Sequence, residues 1–426
     1  MTRFLFLLFA LFLSLPASAQ IVVTVPGSAD VPLAMPKPQL PTGEVPGADE
    51  LWETVWRDLE MSGFFSMVDP KAYIESGKGV EPGTFDFADW RILRVSVLLK
   101  TRLVMCEGQV CADAYVYDAS GANRILARRF RAAPGQARYQ AHAIANAVLL
   151  AVTGQPGVFG SRLVAVGAQS GTKEIYLLDL DGKGVAPVTK NGSVNLSPAW
   201  APDGRAIGWT SYRKGQPDLY SKELSTGRVA VLSNRKGVNI SPAFSPDGKT
   251  VCMARSGPQG DSDLYLLDAS TGAEIRRLTD GGGIDVSPNF SPDGQTVAFA
   301  SERSGGSHIY LLELASQAVT RITFDGLFNT DPVFSPDGTK IAFVGRVEGG
   351  FDVYVVNRDG SGVYRVTEGR GDNEDPSWSP DGRYLVFSST RTGRSELWLA
   401  TADGRHQAKI TSSGGWFQPA FAPAGR

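Results

Sequence analysis

The sequence predicts an α+β N-terminal domain followed by an all-β six-bladed β-propeller, closed by strands shared between the two ends of the propeller. Three observations lead there. A P-D-G turn recurs with its aspartate at 203, 247, 293, 337 and 381, at intervals of 44, 46, 44 and 44 residues. Each interval holds four strand-like runs, and four short strands in ~40–45 residues is the period of a propeller blade. The ends of the repeat region are complementary half-units: the unit from Ser161 (SRLVAVG) lacks an opening strand, and the tail from Gln418 (QPAFAPAG) has only that strand. Joined, they complete the sixth blade and lock a ring that leaves only short edges.

Within a copy, the order of parts has a physical reason. SPAF at 241–244 gives an apolar, aromatic-bearing first strand, and SPDG at 245–248 turns the chain. Proline suits the second position of a type I turn, aspartate the third and glycine the fourth. Runs such as TVAFAS at 296–301 and KIAFVG at 340–345 form the next strand. DLYLLDA from Asp263, HIYLLEL from His308 and DVYVVNR from Asp352 form the one after, and IRRLT or YRVT the last.

The first residues, MTRFLFLLFALFLSLPASAQ, are of another kind. Arg3, an apolar run from Phe4 to Leu15 and Ala17-Ser18-Ala19 make a signal peptide, cleaved after Ala19. The run is too short to span a bilayer. Residues 20–42 are proline-rich and weakly periodic, which predicts an exposed, extended arm in which only IVVTV is strand-like. Residues 43–153 hold an amphipathic helix (Leu51, Val55 and Leu59, with Trp52 and Trp56 beside them) and three strand-like runs, ILRVSVLLKT, ADAYVYDA and ILARRFRA. An alanine-rich helix from Arg138 to Val152 closes at Gly154. That predicts a small α/β domain, with 154–160 as linker and 161–426 as the propeller.

Export places the three cysteines in an oxidising compartment. Cys106 and Cys111 face each other if Gly108-Gln109 is a hairpin tip, so a disulfide and a free pair both fit. A metal clip lacks a second Cys/His pair. Cys252 reads as a buried free thiol.

Composition narrows the function. A net charge of −2 and the absence of a Lys/Arg block argue against nucleic acid. No G-x-S-x-G, Walker A or H-E-x-x-H motif occurs. His142, His308 and His406 read as structural or surface residues. The residues just ahead of the repeat prolines enter the innermost strands near the channel mouth: Asn195, Asn239, Asp285, Asn329, Asp331, Asn373 and Asp375. Such a ring can bind a polar partner or hold a hard cation such as Ca²⁺; the same residues can instead cap loops by Asx-type hydrogen bonds. No catalytic residue and no cofactor is expected.

The junction RYQAHAIANAVLLAVTGQPGVFGSRLVAV, the segment DLEMSGFFSMVDP and the blades together resemble the TolB family of the Tol–Pal envelope system, over nearly the whole mature chain. The resemblance implies a monomeric, non-enzymatic periplasmic adaptor that supports outer-membrane integrity and constriction during cell division. It meets the membrane only through its partners. It implies that the arm, through Ile21, Val22, Val23 and Val25, docks on TolA, by strand addition. It implies that the propeller mouth binds Pal at the positions ahead of the repeat prolines, Val238, Ser241 and Val286, within the ring named above. An exported propeller enzyme, or a propeller holding a small ligand or ion in its channel, is the alternative reading.

Overall fold

The structure, a computed structural model, describes residues 31–424 apart from 42, 258–259, 281, 348–349 and 370. The signal segment 1–19 and the arm residues Ile21, Val22, Val23 and Val25 lie outside the described residues.

The N-terminal domain is built from β1 (Val31–Ala34), α1 (Ala48–Met61), β2 (Phe65–Met67), α2 (Phe87–Ile92), β3 (Val97–Cys106), β4 (Gln109–Asp118), β5 (Asn123–Ala132) and α3 (Ala137–Thr153). The sheet order is β2-β1-β3-β4-β5. Leu51, Val55 and Leu59 form the buried stripe of α1, as their spacing predicts, and each contributes roughly 1.5–3 kcal/mol of apolar burial. The last helix ends at Gly154, whose φ of 74° is the left-handed cap expected there. One run is read differently by the fold. Ile92 closes α2, and the strand expected from it starts only at Val97.

The arm is shorter than the sequence suggests. Val31–Ala34, inside the segment 20–42 expected to be exposed, is a buried strand pairing in parallel with β2 and β3. Pro32 is tolerated because the ladder asks only for its carbonyl, which accepts from the Ser96 N–H at 2.9 Å. Gln39 rejoins β3 through bonds to Thr101 and Leu103. The linker is also tied down: Asn146 brackets Phe159, donating to its carbonyl at 2.7 Å and accepting from its N–H at 3.1 Å.

Cys106 and Cys111 form a disulfide, with Cα atoms 5.9 Å apart. The turn sits one residue earlier than expected, on Glu107 and Gly108, both with positive φ (51° and 76°), which is the two-residue hairpin loop of primed type. Cys106 therefore opposes Gln109, and the bridge is diagonal. Cys252 is buried and free.

The propeller has six four-stranded blades. Blades one to five cover residues 195–233, 239–277, 285–321, 329–365 and 373–409. Blade six joins the tail strand Trp416–Phe421 to Arg162–Gly167, Glu174–Asp179 and Ala186–Pro187, the predicted closure. The turn chemistry is also as expected. Asp247 accepts from the Lys249 N–H at 3.0 Å and from the Ser245 hydroxyl at 2.6 Å, and Gly248 takes a φ of 71°.

The two domains share one core. Tyr384, Val386, Leu397, Ile410 and Trp416 of blades five and six cluster with α1 and α3. Tyr384 Oη donates to the Ser62 carbonyl at 3.1 Å, and Arg57 to that of Ile410 at 2.8 Å. A buried polar group lies in the same seam: Arg138 pairs with Asp179 (2.7 Å) and Asp181 (3.0 Å), and His142 with Asp58 (2.7 Å). His142 is thus structural. Tyr384, Asp179 and Asp181 lie at the P-D-G end of blades five and six, and among the described residues Val238, Phe324 and Leu327 are exposed at the opposite mouth, where the innermost strands begin. Among the described residues no helix is long and apolar enough to cross a membrane.

Candidate docking face at the propeller mouth

Each innermost strand begins with a residue pair, then reaches the residue ahead of its proline. Those six residues are Ser197, Ser241, Ser287, Asp331, Asp375 and Gln418, and all take left-handed backbone angles, with φ between 47° and 56°. This is the reverse of the extended conformation a following proline favours. Each costs on the order of 1–3 kcal/mol and is held by its surroundings. The register breaks at each of these positions, for example between Ile240 and Ala243 and between Glu374 and Ser377. The resulting bulges turn the six side chains into a central cavity of about 600 Å³.

Neighbouring blades clasp one another through this ring. Ser287 Oγ donates to Asp331 Oδ1 at 2.7 Å, the Gln418 N–H to Asp375 Oδ2 at 3.1 Å, and the Ser197 N–H to Gln418 Oε1 at 2.8 Å. Two of the six are carboxylates. Burial, and then the charge of Asp331, pushes the Asp375 carboxyl up to about 6. Burial also raises Asp331. Glu374 is pushed up to about 7 by burial and by Asp375, Asp372 and Asp331. The channel is therefore acidic and reluctant to hold its full charge. Among the described residues no group of three or more His, Cys, Asp or Glu side chains is arranged to hold a metal ion.

The other predicted ring members are buried. Asn195, Asn239, Asp285, Asn329 and Asn373 are each no more than 4% exposed. Asn239 donates to the Arg235 carbonyl at 2.7 Å, Asn329 to that of Asp325 at 3.0 Å, and Asp285 pairs with Arg303 at 2.9 Å. Asn373 accepts from Arg391 and Ser389. They lock the loops from within, the Asx-type role, and shape the face without presenting themselves to it. Ser241, Asp331 and Asp375 line the channel, Val238 is exposed on the rim, and Val286 is half-buried.

Apart from Val238, the rim carries residues that sequence reasoning missed. Val194, Val238, Ile284 and Phe328, each one residue ahead of a buried Asn or Asp, are exposed. The loop between blades three and four adds Phe324 and Leu327, 68% and 81% exposed. Phe328 packs edge-on against Phe351 at 5.6 Å. Exposed apolar side chains gathered on one face make it a candidate for protein docking. The signal was present in TFDGLFNT at 323–330, where the equivalent loops are mostly polar.

Comparison with known proteins fits this architecture. A family model for the TolB amino-terminal domain matches residues 19–125, and one for the TolB beta propeller domain matches residues 150–425. The chain belongs to the TolB family. It is similar to the Tol-Pal system protein TolB of Geobacter metallireducens, 37% identical over 215 residues that cover 49% of this chain and 50% of that one. The TolB of Desulfosudis oleivorans is 35% identical over 64% of each chain. The match thus spans about half to two thirds of these curated TolB relatives. The crystal structure of TolB from Acinetobacter baumannii superposes with a TM-score of 0.82 at 28% identity, covering 93% of this chain and 97% of that one.

Proposed function

We propose that the chain is an exported, non-enzymatic adaptor of the Tol–Pal system. It binds Pal at the propeller mouth and TolA through the arm that precedes β1, and so supports outer-membrane integrity and constriction. One observation carries the reading. The mouth opposite the Tyr384, Asp179 and Asp181 contacts has an apolar rim among the described residues, with Phe324 and Leu327 outermost, above a channel holding Asp331 and Asp375. Apolar anchors give such a surface its affinity, and the acidic centre selects what may sit over it. Residues 31–34 are committed to the sheet, which leaves 20–30 as the segment for TolA.

The test is calorimetry of residues 20–426 with soluble Pal, repeated with Asp331 and Asp375 each changed to Lys. Binding at micromolar Kd or tighter, about −8 kcal/mol, weakened by both reversals, is expected. A folded wild-type chain that does not bind Pal overturns the proposal.

A further inference from the structure

The third strand of every blade carries, at its first, second or third residue, a buried residue at one equivalent position beneath the mouth. In order these are Asp218, Asp263, His308, Asp352 and Glu396 in blades one to five, and Glu174 in blade six. Five are acids and one is histidine. In blades two, four and five the acid pairs with a cation on the outermost strand: Asp263 with Arg277 at 2.6 Å, Asp352 with Arg365, and Glu396 with Lys409 at 3.5 Å. The outermost-strand positions match by register, since Arg277, Arg321, Arg365 and Lys409 each oppose the aromatic two residues beyond Asp263, His308, Asp352 and Glu396. Blade three keeps the cation and replaces the acid.

His308 is 4% exposed. Its Nε2 lies 2.9 Å from Arg321 Nη2, and its Nδ1 lies 3.2 Å from the Asn329 side-chain amide. A guanidinium has only donors, so Nε2 must accept and the ring must be neutral for this arrangement to hold. Both contacts reach the loop that carries the most exposed apolar side chains of the mouth. Arg321 Nε donates to the Thr323 carbonyl at 2.7 Å, and its guanidinium lies 5.2 Å from the Phe324 ring centre. Asn329 holds the Asp325 carbonyl, and the Ser307 N–H holds that of Leu327 at 3.2 Å.

We propose that His308 is an acid-sensitive latch under the Phe324–Leu327–Phe328 lip, releasing the lip when the imidazole is protonated; as regulation of docking, this rests on the mouth being the docking face. A proton on Nε2 points a second donor and a second positive charge at Arg321. The surrounding charges do not compensate. On the inner strand Asp285 is engaged by Arg303, and on blade four Arg346 adds another cation beside Phe351. Glu302 and Asp325 are exposed on the loops above. Burial, and then Arg321, already holds the imidazole below its ordinary value. The latch is therefore closed above the ordinary imidazole range near ~6.5 and opens as pH falls below it. When Arg321 leaves, the Thr323 carbonyl and the Phe324 ring lose their partner.

The experiment has two readouts on the full mature chain at about pH 7.5 and about pH 5.5. The first is hydrogen exchange of the 324–328 amides, corrected for the intrinsic pH dependence of exchange. The second is the Kd for soluble Pal. In the wild type, protection of 324–328 is expected to fall at the lower pH and Kd to rise about tenfold, the usual scale of coupling between sites. His308→Asp restores the acid of the other blades and should remove the exchange response and shrink that of Kd to the part due to Glu374 and Asp375, which also titrate in this window. Arg321→Gln removes the opposing charge and should remove the exchange response too, which keeps the test open if the first variant folds poorly. A wild-type lip indifferent to pH, or an unchanged response in a folded variant, overturns the latch. If exchange responds as expected while Pal binds at neither pH, the latch stands and the docking reading falls.

Discussion

His142 Nδ1 lies 2.7 Å from Asp58 Oδ2, joining α3 to α1, while its Nε2 faces Asp181 of blade six at 3.6 Å. Burial would push this imidazole down, but hydrogen bonds to Asp181 and Asp58 outweigh it and push it up to about 9. Burial would likewise raise Asp181, yet His142, the Lys183 N–H and Arg138 hold it well below the usual carboxylate range. Burial raises the Asp58 carboxyl, so the charge pairing of the seam at neutral pH rests on Asp181 and Asp179 with Arg138 and His142.

Its pH dependence has a definite sign. A histidine whose folded value is raised stabilises fully below its unfolded value, near ~6.5, and the gain is lost as pH rises towards about 9. The thermal midpoint of the wild type should fall across that window. In His142→Ala the fall should vanish, with a loss of roughly 3–5 kcal/mol at neutral pH, because Asp58 is left buried without its partner while Asp181 keeps only Arg138 as its cation. Denaturant titrations of both proteins at matched pH measure this; equal pH slopes would exclude the pairing as the cause.

The Cys106–Cys111 bridge closes a short loop at a hairpin tip. A loop of that length restricts the unfolded chain by about 2 kcal/mol. Cys106→Ser with Cys111→Ser should lower stability by at most that amount and leave Pal binding unchanged, since the hairpin belongs to the N-terminal domain, away from the mouth. Denaturant unfolding with and without reductant should show the same difference in the wild type and none in the variant.

Much of this was legible because the repeat states its own geometry. P-D-G turns with aspartate caps fix the hairpins, and the half-units at Ser161 and Gln418 can be completed only by each other. The strand Val31–Ala34 was not legible, since four residues with a proline show no period and their burial comes from partners 34 and 64 positions away, Phe65 and Val97. The mouth misled in two ways. Asn239 and Asn373 are polar and precede a bulge, features of an exposed rim, yet they are buried because they satisfy loop carbonyls or accept from neighbouring side chains. The left-handed turn at Ser241 or Asp375 opposes the local preference ahead of proline, and only closure of the ring makes it worthwhile.

The channel carboxylates carry a cost that can be removed. Asp375 has an unfolded value near 3.8 and a folded one of about 6. A carboxyl raised in this way stabilises the fold while protonated, and stability is lost as pH rises from ~4 through ~6. Asp375→Asn keeps an oxygen for the Ser388 hydroxyl and the Gln418 N–H, which both bond Oδ2 in the wild type. At neutral pH the variant should be more stable by about 1–2 kcal/mol, after allowing for water in the channel. At about pH 4 the two proteins should unfold at the same denaturant concentration. A neutral-pH loss of stability would show that the charge is held there by compensating contacts.

Leu327 separates docking from folding. It is 81% exposed and contributes its backbone carbonyl, not its side chain, to the loop lock with Ser307. Leu327→Asp should therefore change unfolding by no more than about 0.5 kcal/mol. At a docking face the same change removes an apolar anchor and puts a charge over a channel already made acidic by Asp331, Asp375 and Glu374. Truncating an anchor costs on the order of 2 kcal/mol or more, so Kd for soluble Pal should rise at least about thirtyfold. Ile275, 51% exposed on the outermost strand of blade two, supplies the control. Ile275→Asp adds the same charge away from the mouth and should leave the affinity unchanged. Equal losses from the two variants would place the contact elsewhere than the rim.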